Sequence, residues 1–78
     1  MLKERFGKNL KHQREQRKLT QEMAAELCDL SSRYWGKIER GDAAASIDTI
    51  EKVSIGMNIS VEELLKEDVL DESDKSVQ

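Results

Sequence analysis

Leu19 to Gly41 reads LTQEMAAELCDLSSRYWGKIERG, and the order of capping, apolar and polar residues within it decides the fold. Thr20 is a good N-cap, because its short hydroxyl side chain can accept a hydrogen bond from a first-turn amide, and it opens a helix predicted from Gln21 to about Cys28. Ala24, Ala25 and Cys28 share one side of that helix and are small enough for another helix to approach closely. Asp29-Leu30 forms a tight connection. Ser31 then caps a second helix predicted from Ser32 to Arg40, in which Trp35 and Ile38 face inward while Ser32, Arg33, Gly36 and Lys37 face out. Gly41 stops it, since glycine takes the left-handed conformation at no steric cost.

Upstream, Leu2, Phe6 and Leu10 recur at spacing four and predict an amphipathic helix from Leu2 to about Arg17. Lys3, Lys8, Lys11, Arg14, Arg17 and Lys18 give it a largely solvated basic surface. Downstream, Ser46 caps a helix from Ile47 to Met57 whose inward positions are Ile47, Ile50, Val53 and Met57, with Asn58 in a left-handed terminal turn. Gly56 lies inside that helix, where glycine costs about 1 kcal/mol against alanine unless another helix packs on it. Ser60-Val61-Glu62-Glu63 has the capping-box form and opens a last helix to about Lys66, with Val61, Leu64 and Leu65 apolar. With no strand pattern and no proline, the expectation is an all-α, compact five-helix domain over residues 1–70, followed by an acidic, disordered tail from Asp71 to Gln78.

Composition narrows the function. The formal net charge is -3, but residues 1–40 carry ten Lys or Arg against six Asp or Glu, and residues 41–78 carry three against ten. A basic module of +4 therefore precedes an acidic one of -7, and any polyanion binds through the first. A single cysteine, Cys28, rules out an internal disulfide and argues against a thiolate metal cluster. No apolar run approaches a membrane span and the N-terminus is not a leader, so a cytoplasmic location is expected. His12 is the only histidine and sits on a charged helix, and no nucleophile–base pair, paired-ligand spacing or phosphate-cradling glycine loop occurs. No enzyme, no cofactor and no small-molecule effector is expected.

Two short helices joined by a tight turn, the first lined with small residues and the second polar on its outer face, meet the physical requirements of a helix-turn-helix. Thr20-Gln21-Glu22, Ala25, Leu30-Ser31 and Trp35-Gly36-Lys37-Ile38-Glu39-Arg40-Gly41 resemble the signature of the Cro/CI-type, lambda-repressor-like transcriptional regulators. Ser46 to Ile50 and Asn58 to Leu65 extend the resemblance, which covers about residues 5–66. Several positions depart from it: Asp29 replaces a turn glycine, Trp35 and Gly36 an Ile-Ser pair, Ala45 a frequent proline, and Gly56 sits inside the fourth helix. Aspartate tolerates the left-handed conformation better than most residues, so the turn survives.

The resemblance implies binding to double-stranded DNA, with Ser32, Arg33 and Lys37 reading base edges and Gln21, Tyr34 and Arg40 holding phosphates. The chemistry agrees, since arginine grips guanine O6 and N7 through two hydrogen bonds. The alternative for Arg33 is a pair with Glu26 or Asp29. Glu39, an acid that would repel phosphates, is expected in an internal ion pair with an arginine of the first helix, and Trp35 belongs to the core. Ile55 stands where the family usually has a polar residue, and with Ile59 and Leu65, extended by Val69 and Leu70, it suggests an apolar patch for a homodimer. The same residues serve the monomer core in the other reading. A protein-interaction module with the same fold, an antitoxin or bridging factor, is the rival function.

Overall fold

The computed structural model describes residues 2–66, and the expected tail from Asp71, together with Val69 and Leu70, lies outside them. Five α-helices and no strand occur among the described residues: α1 (Leu2–Gln16), α2 (Gln21–Leu27), α3 (Ser32–Arg40), α4 (Ile47–Met57) and α5 (Val61–Leu65). Every start from α2 onward is set by a hydroxyl cap. Thr20, Ser31, Ser46 and Ser60 all have extended backbone and accept from Met23, Tyr34, Thr49 and Glu63 amides respectively. Such a cap satisfies one of the amides a helix start leaves unpaired. The stops are left-handed at Gly41 (φ 80°) and Asn58 (φ 56°), and Asp29 takes φ 59° in the turn between α2 and α3.

α3 is the central element, packed on both α1 and α2, while α5 closes against α1 and α4. Phe6 and Leu10 from α1, Ala24, Ala25 and Cys28 from the α2 region, Trp35 and Ile38 from α3, Val53 and Met57 from α4, and Leu64 from α5 form one core. Trp35, Leu10, Ile38 and Leu64 are fully buried within it. Burial pushes the Cys28 thiol up to about 11, so at neutral pH it is a small apolar filler rather than a nucleophile.

Two glycines permit the closest helix approaches. A Cβ on Gly7 would collide with the backbone carbonyl of Ile38, which puts α1 hard against α3. A Cβ on Gly56 would lie 2.6 Å from the Leu27 carbonyl oxygen and 2.8 Å from Cys28 Sγ. The end of α2 therefore packs on α4 at the position where helix propensity alone disfavours glycine.

Three expected orientations differ in the structure. Ile47 is 84 % exposed rather than inward, because Thr49 occupies the inward place at that end of α4, 5 % exposed and bonded to Ser46 Oγ and Tyr34. Gly36 is buried rather than outward, covered by the side chains of Gln21 and Arg40. Ile59 is 6 % exposed in the monomer core, while the carbonyl of the same residue accepts from Ser54 Oγ at 2.6 Å. At the far end, Asn9 Nδ2 donates to the carbonyls of Leu64 (3.0 Å) and Lys66 (2.9 Å), tying the exit of α5 to α1.

Candidate nucleic-acid interface

Trp35 and Ile38 anchor α3 by its inner face, which leaves Ser32, Arg33 and Lys37 exposed along the outer one. Neither Arg33 nor Lys37 has an ion pair among the described residues, and Asp29, one candidate partner for Arg33, pairs with Lys52 at 3.7 Å instead. Two cations thus stand on the outer edge of a capped helix with no ion-pair partner among the described residues. That is the arrangement a polyanion can use.

The helix is held in place by one carboxylate. Glu39, whose side chain is 3 % exposed, accepts from Arg14 Nε at 2.6 Å and Arg14 Nη2 at 3.1 Å, from Gln21 Nε2 at 2.9 Å and from Trp35 Nε1 at 2.6 Å. Burial pushes the Glu39 carboxyl up, but hydrogen bonds from Arg14, Gln21 and Trp35 outweigh that and hold it below the ordinary value. The Arg14 guanidinium is raised in turn, chiefly by its hydrogen bond to Glu39. Arg14 also donates to the Leu19 carbonyl at 2.8 Å, so this member of the basic α1 surface is a structural cation rather than a solvated one. The internal ion pair expected for Glu39 is present, and it gathers α2 and the core tryptophan as well.

The three residues expected on phosphates sit differently. Gln21 is half-buried, one amide N–H committed to Glu39. Arg40 is exposed, with Nε donating to Asp42 at 3.1 Å. The Tyr34 hydroxyl is engaged inside the protein, 3.2 Å from Thr49 Oγ1 and 3.5 Å from the Ala44 carbonyl. The Arg40–Asp42 pair was not anticipated from sequence, although a left-handed Gly41 between the two residues is the geometry that turns Asp42 back toward α3. On the expected dimer patch, Ile55 is 74 % exposed, and Leu65 edges an apolar groove shared with Leu2, Phe6 and Ile50. Ile47 and Ile55 stand two turns apart on the outer side of α4. No helix of the described residues is long and apolar enough to cross a membrane, and no cluster of potential metal ligands occurs among them.

A helix-turn-helix family model matches residues 10–64. The chain is 37 % identical over 67 residues to the control protein C.MunI of a Mycoplasma species, covering 85 % of this chain and 90 % of that one. It is 38 % identical over 64 residues to the immunity repressor protein of Bacillus phage phi105, covering 82 % of this chain but only 44 % of the repressor. Among solved structures it resembles the restriction-modification controller protein C.AhdI from Aeromonas hydrophila, with a TM-score of 0.76, 34 % identity, and 80 % of this chain and 94 % of that chain covered.

Proposed function

The chain belongs to the helix-turn-helix family of Cro/CI-type transcriptional regulators, and from that membership we propose that it acts as a homodimer on a near-palindromic DNA operator. The observation that carries the reading is the outer edge of α3, where Arg33 and Lys37 are exposed and have no ion pair among the described residues. Arg33 reaches guanine through a bidentate contact, Ser32 and Lys37 read neighbouring bases, and Gln21 and Arg40 bind the phosphate backbone. Tyr34, bonded to Thr49 and Ala44, braces the loop before α4 and reaches phosphate only by giving up that contact. Ile55 and Leu65, joined by Ile47, supply apolar surface for the second copy on elements remote from the Arg33 edge. In such a dimer the two α3 helices lie about 34 Å apart and meet successive major grooves. The likeness to C.MunI at 37 % identity and to C.AhdI at a TM-score of 0.76 supports a role like that of the control proteins.

The test is selection of bound duplexes from a random pool, followed by titration of the Arg33→Ala, Lys37→Ala double variant. Loss of specific binding is expected, together with a steep salt dependence for the unaltered protein, since each neutralised phosphate releases counterions. Undiminished affinity of the double variant for every duplex refutes the reading in favour of a protein-interaction module.

A further inference from the structure

A glycine inside a helix weakens it relative to alanine, yet Gly36 sits in the middle of α3. The space beside it is filled. A Cβ built there would lie 3.2 Å from Arg40 Nη1 and 3.4 Å from Gln21 Oε1, both ends of flexible side chains rather than backbone. One comes from each helix of the motif, and each is held on its far side: Gln21 Nε2 by Glu39 at 2.9 Å, Arg40 Nε by Asp42 at 3.1 Å. With Nε2 turned to Glu39, it is the amide oxygen of Gln21 that comes to Gly36 beside the Arg40 guanidinium, leaving one amide N–H and the terminal guanidinium N–H groups for an anion.

We propose that Gly36 is a positioning residue for DNA binding: its missing side chain lets Gln21 and Arg40 close over the α3 backbone as one clamp for a single backbone phosphate. The inference rests on the assignment of Gln21 and Arg40 to phosphates made above. A methyl group at position 36 meets only movable side-chain ends, so the fold accepts it and gains helix propensity while the clamp is pushed open. Stability and affinity then move in opposite directions, which a glycine retained for packing alone does not produce.

The experiment uses the whole chain and the duplex it selects from a random pool. Gly36→Ala is expected to raise Tm and to weaken binding about fivefold per bound subunit, the effect of one lost hydrogen bond. The slope of log affinity against log salt falls by about 0.9 per subunit as a phosphate contact is lost. In an Arg40→Ala background the same substitution has a smaller effect on affinity, because only the Gln21 half of the clamp is left to displace. A lowered Tm, unchanged affinity and salt slope, or effects that simply add to those of Arg40→Ala each overturn the clamp. If Gly36→Ala binds normally while the Arg33→Ala, Lys37→Ala variant does not bind, the clamp fails and the DNA reading stands; if that double variant binds normally, both fall.

Discussion

Replacing Glu39 by glutamine keeps the shape of the side chain and removes its charge, which makes it the sharpest test of what holds α3. The carboxylate accepts from two nitrogens of Arg14 and one each of Gln21 and Trp35, and its side chain is only 3 % exposed. Glutamine keeps one oxygen, but its NH2 group then faces N–H donors, and Arg14, itself 12 % exposed, is left without a counter-charge. Removing one partner of a buried pair costs about 3–5 kcal/mol, and the retained oxygen puts Glu39→Gln at the lower end, about 3 kcal/mol. A chain of 78 residues has a total stability on the order of 4–12 kcal/mol, so the loss is a large part of it. At about 4–8 °C per kcal/mol for a domain this small, Tm should fall by roughly 12–24 °C. Thermal and urea unfolding at neutral pH measure this directly. Adding Arg14→Met removes the orphaned charge, and the double variant should lie well above the sum of the single losses. A loss below about 1 kcal/mol for Glu39→Gln would mean that the pair is solvated, and the account of α3 positioning would fail.

The acid limb of stability carries the same carboxylate. Glu39 ionises below its ordinary value when folded, so its contribution is fully present above the unfolded value of about pH 4.3 and is lost as pH falls through the folded one. A Tm-against-pH profile of the Glu39→Gln variant should therefore be flatter below about pH 5 than that of the unaltered protein, and parallel profiles would contradict the shift. Gly56→Ala should destabilise by about 1–3 kcal/mol in urea unfolding despite its better helix propensity, because the methyl meets the Leu27 carbonyl and Cys28 Sγ; a gain in stability would disprove that approach. Ile55→Glu should leave Tm of the monomer nearly unchanged and shift sedimentation equilibrium toward monomer, and an unaltered association constant would remove Ile55 from the dimer face.

Much of the fold was legible because local rules and tertiary packing agree. Four hydroxyl caps, the stops at Gly41 and Asn58 and the Trp35–Ile38 pair each follow from a few adjacent residues, and the helix limits of α3 and α4 fall where those residues place them. Where periodicity failed, a contact distant in sequence decided. Ile47 has the right spacing to point inward, but Thr49 takes that place because Ser46 and Tyr34 satisfy its hydroxyl. Gly36 has an outward position on the helical wheel, and it is covered by Arg40 of its own helix together with Gln21 arriving from another. Gly56 was readable as a propensity defect, and its reason, the end of α2, lies nearly thirty residues earlier in the chain. In the interface, Arg33 and Lys37 were legible as exposed cations, whereas Asp42 beside Arg40 depends on how the chain leaves Gly41.

The convergence of Arg14, Gln21 and Trp35 on one acid bears on how adaptation is shared when the complex forms. Three helices bolted to a common point move as a rigid body, so the proposed DNA-facing edge of α3 arrives preformed and has little freedom to hinge or re-aim. The compliance then falls to the duplex. Sites whose groove width and bendability already suit a fixed protein outline should be preferred, even at base pairs that no side chain touches.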